Sequence, residues 1–414
     1  MDTKMGALQL GGLIAGAVLG SGVILLPPMA HKQLGEWAVA AWVIIMAFGA
    51  VFATIFAKLA HQYPGGEGVP IAIRKAFGAK AGRLASTYLL CAVCVGPIAV
   101  LMTAAATISQ AFNMPASTNE FISGGLLLAC AALLTRRITF VGSVALIASS
   151  IIGFILTTSS IATILHHPML PIPESSVNFQ RMGETLLLLF WAIIGWEVVG
   201  NYTMDVRNPD KTIPRATLIA VGIISSVYGL VAWAMTALSP TGGTIAVTDV
   251  VNSLLGSAAS FVVMITTTVL CVCTYLMIIG AVIRLIASLA EQNSTDAFLA
   301  RRNPHGAPVT ALLTLVAIQS VSLLLLQQRV LSLEDCVAIA NAFFLANALL
   351  GIGAAIRLLP SRILQLTGAM LAAAFMTLLS FSSIWVLILL SCITLLVVGN
   401  PRSLWSAVLS KYSQ

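Results

Sequence analysis

Three residue patterns in this chain could do chemistry, and all three sit in apolar surroundings. Glu197 follows Trp191-Ala192-Ile193-Ile194-Gly195-Trp196, in the middle of an otherwise apolar run. A carboxylate at bilayer depth costs at least about 2.5 kcal/mol, so it faces a cavity or a partner. Two roles stay open for it: a gating or proton-carrying group, or a hydrogen bond that ties its segment to a neighbour. The second pattern, Leu19-Gly20-Ser21-Gly22-Val23, interrupts the first apolar run. Each glycine weakens a helix by about 1 kcal/mol relative to alanine. The third is Gly195 itself, at the corresponding place in the sixth run. Unwinding at such points frees N–H and C=O groups that lipid cannot satisfy, so they must line a polar cavity or hold a ligand. Freed N–H groups at a half-helix start attract a carboxylate, and freed carbonyls attract an ammonium. A site with both suits the two ends of an α-amino acid. The competing reading of Gly20 and Gly22 is close helix packing.

Other chemistries find little support. His31, His61, His166, His167 and His305 fall at segment ends or in connections, with no nucleophile–base or metal spacing. Neither catalytic residues nor a metal or other cofactor are therefore expected. Cys91 and Cys94 have CxxC spacing, but their flanks are aliphatic and no second pair follows, which favours core packing. The net charge of +7 comes from basic residues scattered between apolar runs, which argues against nucleic acid.

The elements that must position these residues follow from composition. Of 414 residues, 59% are hydrophobic and 8% charged. Soluble domains carry roughly 25% charged residues. So few charges cannot cover a water-facing surface, and the partner of the outer surface is a lipid bilayer. The expected class is an all-α integral membrane protein. Continuous apolar runs near 7–30, 37–61, 84–112, 119–134, 138–165, 183–204, 213–238, 254–289, 307–327, 335–356, 363–380 and 382–399 give about twelve transmembrane helices, or eleven if two short ones merge. The first run reads as a retained span, not a cleaved leader. With the N-terminus in the cytoplasm, only Lys32, Arg181 and Arg329 of the 21 Lys and Arg fall outside, so both termini are placed inside. The connections near 62–83, 166–182 and 290–306 are too short for an independent core. Spans 1–5 and 6–10 form two blocks of odd number, which inverts the second relative to the first. The blocks cover residues 1–165 and 183–357, and the last two helices cover 361–400.

At these residues the chain resembles the amino acid–polyamine–organocation transporter family. The resemblance rests on Gly20-Ser21-Gly22-Val23 followed by Pro27, on Tyr63-Pro64-Gly65-Gly66-Glu67-Gly68 leading to Ala76-Phe77-Gly78, and on Phe190-Trp191 through Glu197. Arg207-Asn208-Pro209 and Ile213-Pro214-Arg215-Ala216 complete it. A looser match runs from Arg284 to Pro304. Termini and length look most like the bacterial branch that exports methionine, leucine, isoleucine and valine.

That resemblance implies an inverted five-plus-five repeat (the LeuT-like fold) with two extra C-terminal helices, in a bacterial inner membrane. It implies a substrate carboxylate at Ser21 and Gly22, and an ammonium at carbonyls near Val18, Trp191 and Ile194, with Gly20 and Gly195 at the breaks. Trp191 would close over the side chain, and Glu197 would couple gating or protons. The expected function is secondary transport of neutral, apolar L-amino acids by alternating access, as an exporter. The alternative is proton- or sodium-coupled uptake, or amino-acid/polyamine exchange. The fifth span, 138–165, lacks the lysine that some sodium-independent relatives carry there, so coupling to H+ or Na+ stays open. Thr274, with Thr266, Thr267 and Thr268, is a weak candidate for sodium ligation, against bonding to its own helix carbonyls. No acidic cluster is present for a cationic substrate. A homodimer is left open.

Overall fold

The structure, a computed structural model, describes residues 4–136, 138–168, 172–173, 176–239, 243–292 and 298–399. Arg137, Arg402 and Lys411, which entered the charge count, lie outside the described residues. Fifteen α-helices and short 3₁₀ turns make up the described chain, with no strand among the described residues. A single main-chain bridge joins Met5 to Val206. Helix is what lipid demands, because each segment then satisfies its own backbone.

In chain order the helices are α1 (Ala7–Leu19), α2 (Gly22–Leu34), α3 (Ala38–Gln62), α4 (Val69–Phe77), α5 (Ala79–Ala111), α6 (Asn119–Leu134), α7 (Ile138–His166) and α8 (Phe179–Leu189). They continue with α9 (Pro209–Leu238), α10 (Val247–Leu255), α11 (Ala259–Gln292), α12 (Val309–Gln327), α13 (Leu333–Leu358), α14 (Arg362–Ser380) and α15 (Ile384–Gly399). Nine stretches among the described residues are long and apolar enough to cross a membrane. One of them, Ala7–Gln62, has 56 residues. At 1.5 Å per residue that is about 84 Å, against a hydrocarbon core of about 30 Å, so it holds two crossings. Two further apolar segments are the interrupted stretch 179–205 and the shorter α15.

Two expectations need correction. The stretch 62–83 is not a bare connection: it contains α4, which buries Val69, Ala72, Ile73 and Ala76 and packs on α5 and α13. Its nine residues are too few to cross, and Arg74 and Lys75 stay on its outer side. The eighth span starts later than 254, because 247–258 forms the separate helix α10 and a 3₁₀ turn. Gly256 at φ +54 turns the chain there.

At the centre, α5 packs against both α11 and α13, while α1 is enclosed by α7, α9 and α11. Pro97 lies inside α5 and offers no N–H to the carbonyl of Val93 one turn before it. Gln319 of α12 fills that gap: its Nε2 donates to the Val93 oxygen at 2.9 Å, and its Oε1 accepts from the Tyr275 hydroxyl of α11 at 2.6 Å. Gln319 is fully buried. One amide thus ties three helices where a proline has opened one of them. On the other flank, Phe375 of α14 meets Phe52 and Phe190 edge to face.

Gln319→Leu is expected to lower the melting temperature of the purified protein, each lost interhelical bond contributing about 0.6–2 kcal/mol. Adding Pro97→Ala returns a helical N–H to Val93 and is expected to recover part of that loss. An unshifted melting temperature for Gln319→Leu would contradict the assignment.

Candidate functional site

The first break is a true interruption of the helix. α1 ends at Leu19, Gly20 takes φ +40, and α2 begins at Gly22. The carbonyls left over at the end of α1 are met from two other helices. Thr274 of α11 donates to Ala17 at 2.7 Å and also lies 3.0 Å from its own helix carbonyl, Leu270. The Tyr228 hydroxyl of α9 lies 3.2 Å from the Val18 oxygen and 3.1 Å from that of Leu19. Tyr228 is fully buried, and its ring stacks on Trp42 of α3 with centroids 4.4 Å apart. Glycine is needed at position 22, since a Cβ there would sit 2.5 Å from the Tyr228 oxygen. The first N–H groups of α2 have no acceptor within that helix, as at any helix start.

The second break follows α8. A 3₁₀ turn covers Phe190–Ile193, Ile194 is extended, Gly195 takes φ +119, and a second 3₁₀ stretch covers Trp196–Asp205. A side chain at 195 would be strained by that φ and would meet Met277 at 2.9 Å and Val18 at 3.3 Å. The two breaks therefore touch: Val18 of one lies against Gly195 of the other. Glu197 folds back so that its Oε2 accepts the Gly195 N–H at 3.0 Å. Its Oε1 has no protein partner among the described residues, and the residue is 1% exposed.

Between the breaks lies a cavity lined by Ala17, Val18, Gly20, Ser21, Gly22, Trp191, Ile194 and Thr274, with Gly96, Pro97 and Val100 of α5, Ile278 of α11 and Phe344 of α13. One wall is main chain and hydroxyl; the other is apolar. Trp191 and Phe344 both approach Gly96, where an added Cβ would lie 3.8 and 3.9 Å from their rings. No carboxylate lines the cavity among the described residues. Its volume is about 20 Å³, room for one water.

The end of the bundle that carries the N-terminus is bolted shut around 196–206. The Met5 N–H donates to the Asp205 carbonyl, and the Arg207 N–H to the Met5 carbonyl, both at 2.9 Å. Arg284 of α11 pairs with the Asp205 carboxylate at 2.6 Å. The Tyr202 hydroxyl donates to the Met277 carbonyl. From the turn between α3 and α4, the Gly65 N–H donates to the Thr203 hydroxyl at 2.9 Å, and the Gly66 carbonyl accepts from Asn201 at 2.8 Å. Glu67 grips Arg74 through two bonds of 2.9 Å, which raises the guanidinium pKa.

A family model for amino acid permeases matches residues 5–408. The chain belongs to the amino acid permease family. Three relatives within it differ in how much of this permease they cover. The L-methionine/branched-chain amino acid exporter YjeH of Escherichia coli (strain K12) is 24% identical over 408 residues, 96% of each chain. A cadaverine/lysine antiporter of Escherichia coli (strain K12) is 27% identical over 241 residues, 54% of this chain and 52% of the antiporter. An uncharacterized amino acid permease, YecA, of Bacillus subtilis (strain 168) is 23% identical over 222 residues, 52% and 51% of the two chains.

Of the residues singled out in this permease sequence, Val18, Gly20, Ser21, Gly22, Trp191, Ile194 and Thr274 line one cavity, with Gly195 and Glu197 directly behind it. Thr267 and Thr268 bond their own helix carbonyls, at 2.8 and 2.9 Å. Cys91 and Cys94 are free thiols in α5. No group of three or more His, Cys, Asp or Glu among the described residues could hold a metal ion. Sequence reasoning missed Tyr228, Ile278, Phe344 and the Gly96-Pro97-Val100 wall. The Gly-Pro pair inside the third apolar run was the one available signal.

Tyr228→Phe keeps the stack on Trp42 but strips the donor from two buried carbonyls. It is expected to cost about 1–3 kcal/mol, read as a lower melting temperature. A stability equal to wild type would show that those carbonyls find another donor.

Proposed function

We propose that this permease is a secondary transporter of neutral, apolar L-amino acids of the methionine, leucine, isoleucine and valine type. It moves them across a bacterial inner membrane by alternating access, with both termini in the cytoplasm and export as the direction. The observation that carries the reading is the cavity itself: two opened stretches of main chain on one wall, an apolar wall opposite, and no acid lining it. Ser21 and Gly22 supply N–H groups for a substrate carboxylate. The carbonyls of Val18, Trp191 and Ile194 supply acceptors for its ammonium. Gly96, Val100, Ile278, Phe344 and Trp191 receive the side chain. This is transport chemistry, in which no covalent bond changes.

A cavity that holds one water cannot hold an amino acid; sites for small ligands occupy about 300 Å³ or more. The structure is thus a collapsed state, and loading requires the walls to part. In this reading one bundle of helices rocks around the broken-helix site, within a fold of two inverted repeats, residues 1–165 and 183–357. Export is supported by similarity to YjeH along nearly the whole chain. The antiporter's similarity covers about half of each chain, and a dication would find no counter-charge in this cavity. Glu197 is assigned to gating and proton coupling, its free Oε1 being the place where a proton is held or released.

Purified full-length protein is expected to gain thermal stability with L-methionine, L-leucine, L-isoleucine or L-valine, and none with L-lysine or cadaverine. Stabilisation by lysine, or by no amino acid at all, would contradict the substrate class. Glu197→Gln still offers an oxygen to the Gly195 N–H, so it is expected to fold normally and to lose the pH dependence of transport in proteoliposomes. Retention of full pH dependence would remove Glu197 from the coupling role.

A further inference from the structure

A second cavity, of about 270 Å³, lies at the end of the bundle that carries the N-terminus and shares no lining residue with the first. We propose that it binds a phosphate-bearing anion. Its walls bring Lys4, Arg136, Arg284 and His305 together from four separate parts of the chain, with Asp205 the one acid among them.

That acid is already engaged. Arg284 Nε donates to Asp205 at 2.6 Å, its Nη1 donates to the Gly280 carbonyl at 2.6 Å, and its guanidinium lies over the Tyr202 ring at 4.9 Å. Arg284 is therefore fixed before any ligand arrives. Lys4 and Arg136 have no ion-pair partner among the described residues, and both are exposed. Among the described residues three permanent cations face one carboxylate, which leaves surplus positive charge at the pocket. Converging cations repel one another unless an anion sits between them. A phosphate group suits this lining better than a single carboxylate, because it carries up to two charges and three acceptor oxygens for several donors at once.

The floor of the cavity is apolar, formed by Leu134, Val141 and Ile283. Met204, which also lines it, stands 63% exposed. That edge matches the plane of lipid headgroups, where basic pockets between helices take anionic heads. The same phosphate chemistry would also accept a free anion, so the source is a matter for the test. An occupant would touch Asp205 and Arg284, the pair that bolts this end shut.

The test uses the full-length protein and melting temperature as readout. One arm titrates inorganic phosphate in detergent against chloride at matched ionic strength. The other compares nanodiscs of phosphatidylcholine with nanodiscs of an equal mixture of phosphatidylcholine and phosphatidylglycerol. Wild type is expected to be stabilised by at least one probe, and the Arg136→Gln/His305→Gln double variant to need at least tenfold more phosphate or to lose the lipid effect. Both positions are exposed, and Arg136→Lys with His305 intact is expected to keep most of the effect, which separates charge from folding. Stabilisation by phosphate alone assigns a free anion; stabilisation by phosphatidylglycerol alone assigns a headgroup; both outcomes support the site. No stabilisation beyond chloride or phosphatidylcholine, or stabilisation that the double variant keeps in full, would overturn it.

Discussion

Main-chain groups released inside lipid must find partners, and the interior of this protein is arranged around that requirement. Two segments give up helical bonds near residues 20 and 195. Leaving a buried carbonyl or N–H unpaired costs on the order of several kcal/mol in a medium with no water. The surrounding helices answer with hydroxyls and one carboxylate: Thr274 for Ala17, Tyr228 for Val18 and Leu19, Glu197 for Gly195. Each partner, two donors and one acceptor, comes from an element remote in sequence or folds back on its own turn. The breaks are held in this way by the protein's own side chains.

The same rule explains the scaffold. Pro97 opens α5 beside the cavity, and Gln319 repairs the consequence from outside. Helix α5 can then present Gly96, Pro97 and Val100 to the cavity while staying anchored to α11 and α12. Small residues at the breaks serve a second purpose. Val18 and Gly195 meet in van der Waals contact only because position 195 has no side chain. The price of this closeness is a cavity too small for its proposed cargo, so the collapsed state and the loaded state must differ. The links around Asp205 and Glu67 are partly buried ion pairs and main-chain bonds at one end of the bundle.

Much of the fold was legible in the sequence, for a simple reason. Continuous apolar runs of about twenty residues have few alternatives to membrane helices, and the observed segments follow the expected ones within a few residues. The exceptions are instructive. α5 starts at Ala79, not near 84, because Lys80 and Arg83 extend the helix beyond its apolar core. α4 and α10 were not anticipated: they are nine residues each, bounded by glycines or extended residues, and they owe their helicity to packing on α5, α7 and α11. The polar half of the site was legible because glycine and glutamate are conspicuous in an apolar run. Its apolar half was not, since Phe344 and Ile278 differ in nothing from neighbouring core residues until the chain folds. Tyr228 likewise shows its function only through the carbonyls it reaches, more than two hundred residues earlier in the chain.

The central claim is that the two breaks together hold the ends of a zwitterion. Its most direct measurement is solid-state NMR on full-length protein in bilayers, with ¹⁵N and ¹³C carbonyl labels, while L-leucine is titrated in. The account predicts that the largest shifts fall on the Ser21 and Gly22 nitrogens and on the Val18, Trp191 and Ile194 carbonyls, and that they saturate together. Binding of leucine that leaves all five of these signals unmoved would contradict it.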